Sequence, residues 1–322
     1  MLQTVARYHR IMAQEREPRD AILRGIHVLD GGMATELEFQ GACLDGPLWS
    51  AQLLEDAPEK VQAVHRAYIE AGAECILTAS YQVSRMGYAE MGLDAERADA
   101  ALLRSVELAR GAAEEFAPRR IVVAASLGPY GAALHSGAEY HGNYACTFAE
   151  LAEFHRQRIA VLAAAPNAAT TPDLLAFETL PSLEEARAIG AALAEYAQLA
   201  AWFSFTCKDA RRVAHGEPLR ACAAAVAEFP QTVAVGVNCT HPGLISSLLG
   251  ELRGACEKPI VVYPNSGEGW NQTARSWTGS SAAARFGQWA ADWLAEGAQM
   301  VGGCCRTRPT HIRQVAEAVR RR

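Results

Sequence analysis

Thr232-Val-Ala-Val-Gly-Val-Asn-Cys239 stays apolar at step after step until it closes on an asparagine and a cysteine. Successive side chains of a strand point to opposite faces, so a strand wetted on one side alternates apolar with polar residues. A run without that alternation suits a strand covered on both faces, as in a parallel sheet flanked by helices. Seven further short apolar runs bounded by turn residues share this character: Ile26–Asp30, Glu74–Ser80, Ile121–Ser126, Asp173–Thr179, Ala200–Thr206, Pro259–Asn265 and Ala298–Cys304. Between them lie segments of helical period, such as Val61, Val64 and Tyr68, or Phe148, Leu151, Phe154 and Leu162. Pro58 suits a first helical turn, and Ser182 with Glu185 has the spacing of a capping box. Eight such β-α units predict an α/β fold, a (β/α)8 TIM barrel forming a single domain over residues 23–322, in preference to an open doubly wound sheet. Residues 1–22 are read as an N-terminal extension, either a short helix sealing the base of the barrel or a frayed end.

Composition narrows the function classes. A chain of 322 residues with 50% hydrophobic and 20% charged residues can bury a large core. A formal net charge of −6 and the lack of a basic stripe argue against nucleic acid or an anionic membrane as partner. The first 24 residues are polar and mixed in charge, and no run of about 20 apolar residues occurs, so a soluble cytoplasmic protein is predicted. In a reducing compartment nine scattered cysteines, an odd number, point to free thiols or metal ligands and not to a disulfide framework. The glycine-rich stretches fit neither a dinucleotide fingerprint nor a phosphate loop. No feature sets an oligomeric state.

In a TIM barrel the active site lies where strands end and loops to the helices begin. Polar residues collect at those points: Asp30, Thr78, Ser126, Glu178, Asn238 and Asn265. Two connections are long enough to act as lids or substrate walls, Gly128 to Cys146, which carries Tyr130, and Ser266 to Ser280, which holds Trp270 and Trp277. Cys239 and the pair Cys304-Cys305 close two of the predicted strands and read as a zinc-thiolate site. Neighbouring thiols converge on one ion only past the end of a strand, and Gly302-Gly303 is expected to supply the turn. Strands two places apart in a parallel sheet end about 10 Å from each other, a gap that three Zn–S bonds of about 2.3 Å can close. Three ligands leave a fourth position open; His241 is a candidate to fill it in the empty protein, and buried structural thiols are the competing reading of the trio.

The other residues have bland readings beside the chemical ones. Asp30 can accept hydrogen bonds from its own Gly31-Gly32 turn. Glu178 follows Leu174-Leu-Ala-Phe177 and would be costly to bury unpaired, which makes a cationic ammonium a natural partner. The nine histidines show no paired ligand spacing and are read mostly as surface or loop residues. Cys43, Cys75, Cys146, Cys207, Cys222 and Cys256 have no ligand spacing either. Trp49, Trp270 and Trp277 suit either packing or cation–π contact with a sulfonium.

Several stretches together resemble one family: Leu29-Asp-Gly-Gly-Met-Ala-Thr-Glu36, Pro47-Leu-Trp-Ser-Ala51, Ala71-Gly-Ala-Glu-Cys-Ile-Leu-Thr-Ala-Ser-Tyr-Gln82, Phe177-Glu-Thr-Leu-Pro181, Gly236-Val-Asn-Cys239, Tyr263-Pro-Asn-Ser-Gly267 and Gly302-Gly-Cys-Cys305. They are similar to the zinc-dependent homocysteine S-methyltransferases over about residues 26–312. The resemblance implies that Cys239, Cys304 and Cys305 bind Zn2+, that homocysteine thiolate takes the open position, and that Asp30 and Glu178 hold its ammonium group. Thr78, Asn238 and Ser126 are further substrate-binding candidates, and Trp49, Tyr130, Trp277 and Asn265 are candidates for the donor pocket. Betaine-using relatives carry an aromatic residue after the strand-four glutamate; Thr179 here looks like the branch that uses S-methylmethionine, with S-adenosylmethionine as a poorer donor. A cobalamin route is disfavoured by the lack of an Asp-x-His-x-x-Gly motif. Met33 and His241 depart from the usual pattern. The alternatives are betaine as donor, another thiol or selenol such as selenocysteine as acceptor, or a zinc- or redox-sensing protein.

Overall fold

The computed structural model describes residues 21–44, 49–271, 276–278 and 283–322, without the side chains of 49, 50, 269–271, 276–278 and 283. The N-terminal extension expected over 1–22 lies outside the described residues apart from Ala21 and Ile22; Ile22 packs with Leu23 and Ile26 against the innermost apolar cluster.

Nine strands occur among the described residues: β1 Cys75–Leu77, β2 Val122–Leu127, β3 Leu174–Leu180, β4 Ala201–Phe205, β5 Thr232–Asn238, β6 Ile260–Tyr263, β7 Gly269–Asn271, β8 Ser276–Thr278 and β9 Met300–Val301. Seven of them form one sheet in the order β1-β2-β3-β4-β5-β6-β9, with every pair parallel. A helix follows each strand of that sheet, among them Ala95–Glu114, Phe148–Ala163, Leu183–Leu193, Leu219–Ala227, Ile245–Arg253, Phe286–Ala295 and Pro309–Arg320. The connection expected to be a loop over Ser266–Ser280 contains the antiparallel pair β7–β8, with Trp270 opposite Trp277.

The expected strand Ile26–Asp30 is reduced to two single-residue parallel bridges, Val28 to Val301 and Leu29 to Cys75. These bridges join the two edges of the sheet. Its backbone nonetheless bonds to both edges, the Leu29 N–H donating to the Val301 carbonyl at 2.9 Å and the Asp30 N–H to the Cys75 carbonyl at 3.1 Å, and two side chains add to the pairing. Glu74 Oε2 accepts from the His27 and Val28 N–H groups at 2.7 and 3.0 Å, and Asp30 Oδ2 accepts from the Leu77 N–H at 2.8 Å.

Two apolar layers flank the sheet. Leu174 and Ala176 of β3 belong to the inner cluster with Val122, Ala124, Trp202, Ala234 and Tyr263, whereas Leu175 and Phe177 face the helices. The two-residue period carries the inner side forward to Ser126 on β2, Glu178 on β3, Ser204 on β4 and Asn238 on β5. The inside of the sheet is thus apolar at its base and polar at the carboxyl ends. Gly236 is required in β5, since a Cβ there would run into the Val261 carbonyl oxygen of β6.

Two local expectations are corrected. Phe148 is 43% exposed, because it sits in the first turn of its helix, while Leu151, Phe154 and Leu162 are buried. Ser182 does cap its helix by accepting from the Glu185 N–H, but the Glu185 carboxylate turns away to other partners; the complete capping box is Thr147 with Glu150. Of the histidines, His65, His155 and His311 are buried. None of the described helices is long and apolar enough to cross a membrane.

Candidate metal centre

β5 and β9 lie two places apart, with β6 between them. Cys239 follows β5 with a left-handed backbone, φ 49°, and its N–H donates to the Tyr263 carbonyl at 3.3 Å. Cys304 is held by its N–H on the Pro264 carbonyl at 2.8 Å, while its own carbonyl accepts from Thr307 Oγ1 at 2.7 Å. The Ser266 N–H donates to the Cys305 carbonyl at 3.2 Å. Gly302 and Gly303 do not make the turn expected of them, for neither is left-handed; Arg306 is, at φ 65°. They are needed for space. A Cβ on Gly302 would stand 2.6 Å from Leu29 Cβ, and one on Gly303 would overlap Thr307.

The three sulfurs converge. Cys239 Sγ lies 3.0 Å from Cys304 Sγ and 3.4 Å from Cys305 Sγ. Among the described residues this is the one group of three or more histidine, cysteine or acidic side chains whose ligand atoms all fall within 4.8 Å of one another. Thiol hydrogen bonds from Cys304 and Cys305, aided by Tyr140, pull the Cys239 thiol well below its usual range, and bonding to that thiolate pushes the Cys304 and Cys305 thiols up. One negative charge is thereby shared by three sulfurs. Three soft donors fit a thiophilic ion: tetrahedral bonds of about 2.3 Å set sulfurs about 3.8 Å apart, so the trio need open by less than about 1 Å. His241 is exposed, and its Nδ1 accepts from the Gly243 N–H at 3.1 Å, away from the sulfurs' cluster.

The carboxylates come from other strand ends, Glu178 from β3 and Asp30 from the Val28–Leu29 bridge segment. Glu178 is buried and accepts a short hydrogen bond from Ser126 Oγ. It stands where the β3–β4 register shifts, next to Thr179 at φ 60°, and this bulge is pinned by the Thr179 N–H on Asn238 Oδ1 at 2.7 Å. Burial pushes the Glu178 carboxyl up to about 7, against the opposing bond from Ser126. Asp30 is buried as well, and burial raises its carboxyl well above the usual range, with the charge of Glu178 adding to the rise. Its hydrogen-bond partner is the Leu77 N–H across the sheet edge and not the Gly31-Gly32 turn.

The remaining sequence candidates divide. Thr78 Oγ1 accepts from the Ser126 N–H at 3.0 Å and pairs with Ser80 Oγ at 2.6 Å, so it braces Ser126. Asn238 Nδ2 reaches Cys304 Sγ at 3.9 Å and Thr179 Oγ1 at 2.8 Å, which ties the carboxylate side to the thiol side. Asn265 keeps a buried Oδ1 without a partner among the described residues. Tyr130 packs its ring on Tyr144 and Phe154, with centroids 5.4 and 5.2 Å away. Trp49 opens a 3-10 turn and Trp277 pairs in β8, but their side chains are outside the described residues. Sequence reasoning missed Tyr140, whose hydroxyl is 3.6 Å from Cys239 Sγ, and its neighbour Glu139. The only signal was their place in the long Gly128–Cys146 connection.

Comparison with known proteins places this geometry in context. A family model described as homocysteine S-methyltransferase matches residues 27–319. The homocysteine S-methyltransferase YbgG of Bacillus subtilis (strain 168) is 44% identical over 298 residues, covering 90% of this chain and 93% of that one. The selenocysteine Se-methyltransferase of Brassica oleracea var. italica is 40% identical over 309 residues, covering 90% of this chain and 88% of that one. The crystal structure of the homocysteine methyltransferase MmuM from Escherichia coli in its metallated form is 41% identical, with a TM-score of 0.80 over 92% of this chain and 98% of that one.

Proposed function

We propose that this chain, which belongs to the homocysteine S-methyltransferase family and transfers a methyl group to the sulfur of homocysteine, works through Zn2+ held by Cys239, Cys304 and Cys305. The observation that carries the metal reading is the convergence of three thiols from two distant segments. Bound zinc would hold the substrate sulfur as a thiolate at neutral pH, where a free thiol of pKa about 8.5 is only a few per cent ionised. Asp30 and Glu178, both buried and with the charge of Glu178 raising the affinity of Asp30 for a proton, form the electrostatic complement of an ammonium group, and we assign them to that of homocysteine. Ser126 and Thr78 orient Glu178, and Asn238 fixes the bulge that aims it.

The donor we favour is a sulfonium, S-methylmethionine before S-adenosylmethionine. As the donor's sulfur–methyl bond breaks and the new one forms, a thiolate and a sulfonium become two neutral thioethers. No general base is required for that exchange, which suits a cluster to which, among the described residues, no histidine contributes a ligand. Val28 and Leu29 are read as the eighth strand of a closed (β/α)8 barrel, because they bridge both edges of the sheet. A reducing cytoplasm is the compartment in which such thiols stay available.

The test is to measure zinc in freshly reduced protein and then methionine formed from S-methylmethionine, S-adenosylmethionine and betaine. About one zinc per chain and turnover fastest with S-methylmethionine are expected. Full activity in zinc-free protein would overturn the metal reading. The likeness to a selenocysteine Se-methyltransferase favours one second reading, in which a small selenol or other thiol is the preferred acceptor; a panel of acceptors at equal concentration decides between them.

A further inference from the structure

We propose that Glu139 is the counter-ion of the donor's sulfonium group, an assignment that rests on the methyl-transfer reading above. The connection after β2 turns back over the thiols, and its Ala138–Tyr140 segment is a 3-10 turn entered from Gly137 at φ 77°. Tyr140 places its hydroxyl 3.6 Å from Cys239 Sγ. The adjacent Glu139 carboxylate is near enough to Cys239, Cys305, Tyr81 and Tyr140 for each to feel its charge. Its Oε2 is sealed from solvent and has no hydrogen-bond partner among the described residues, nor does any ion pair among them include Glu139.

A half-buried carboxylate whose sealed oxygen has no partner, beside a shared thiolate, is unfavourable unless a cation joins it. The position is built and not incidental. Glu185 accepts from the Tyr130 N–H at 2.5 Å and the Tyr144 hydroxyl at 3.0 Å, and His155 Nε2 lies 3.0 Å from it. Arg158 Nη2 donates to the Gly128 carbonyl at 2.9 Å, so both ends of the connection are anchored to the helix layer. Asp30 and Glu178 are assigned to the acceptor's ammonium, which leaves Glu139 for the donor. The sulfonium is the charge it meets, because that sulfur must approach the thiolate to within a methyl group, while the donor's own ammonium lies several bonds away. The charge vanishes on transfer, so the same carboxylate distinguishes donor from thioether product.

The probes are S-methylmethionine and 2-amino-5-methylhexanoate, in which a neutral CH replaces the sulfonium. Donor KM, the inhibition constant of the isostere, homocysteine KM, bound zinc and melting temperature are compared in the wild type, Glu139→Gln and Glu139→Ala. The wild type is expected to favour the cation over the isostere by about tenfold or more, the worth of one charge-assisted contact. Glu139→Gln is expected to erase that preference by raising donor KM, with the isostere, homocysteine and zinc values unchanged. An undiminished preference in folded Glu139→Gln overturns the assignment. Should neither variant fold, the wild type decides, and a ratio near one overturns it. Failure of every sulfonium to yield methionine in the wild type overturns the reaction reading itself, and this assignment with it.

Discussion

The residues of the site carry separable tasks. Cys239 is the sulfur that both others contact, so Cys239→Ala is expected to lose zinc and methionine formation together, by at least about a hundredfold, as read by metal analysis and turnover. Glu178→Ala is expected to keep the metal and raise homocysteine KM by about tenfold or more, the loss of a buried charged partner. Acidity gives a third readout. The Glu178 carboxyl, pushed up to about 7 by burial, is charged only above that pH, so homocysteine binding should weaken by up to about tenfold per unit as pH falls below 7. Glu178→Gln should bind weakly and flatten that part of the profile. For stability the sign is opposite: a carboxyl raised in the folded state favours folding below its unfolded value of about 4.5, and this contribution is lost as pH rises through 7. These roles were partly legible in the sequence, because Asp30, Glu178 and the cysteines stand at ends of apolar runs. Glu139 and Tyr140 were not, since a loop residue's direction depends on the folding of the loop.

At the scale of elements, β5 reads directly from its residues, and its glycine is the point where sequence and packing meet. Gly236→Ala should destabilise the protein by about 3 kcal/mol or more, because the Val261 carbonyl it would strike is backbone in a paired strand and cannot swing away. Ser182→Ala removes the cap of helix Leu183–Leu193 and should lower stability by about 1 kcal/mol in denaturant titration. The capping-box spacing was misleading in its second half. Glu185 at the third helical position finds Tyr130, Tyr144 and His155 from other elements, and these tertiary partners displace the local one. The Ile26–Asp30 run keeps only two bridges, yet Leu29 and Asp30 donate to the Val301 and Cys75 carbonyls on opposite edges of the sheet, while the Glu74 side chain takes the His27 and Val28 donors.

For the whole molecule, buried histidines set the acid limit. His65 is fully buried with neither ring nitrogen partnered among the described residues, and burial lowers it to about 3; burial lowers His155 to about 4. Groups depressed on folding contribute stability above their unfolded value of about 6.5 and lose it as pH falls toward the folded one, so acidification from 6.5 to 3 should destabilise the fold by a few kcal/mol. Between about 4.5 and 7 the raised carboxyls of Glu178 and Glu139 act in the opposite direction, which should leave stability nearly level there and steeper below 4.5. His65→Leu should unfold at lower pH without loss of stability at pH 7, since it removes two unsatisfied polar atoms. The chain by itself determined the alternation of strands and helices, the parallel sheet and the residues at its carboxyl ends, because side-chain period and burial act along the sequence. Only tertiary structure decided that Cys239 meets Cys304 and Cys305 across β6, that a bulge aims Glu178, and that the Tyr140 hydroxyl reaches Cys239, because those distances are set by packing between segments far apart in the chain.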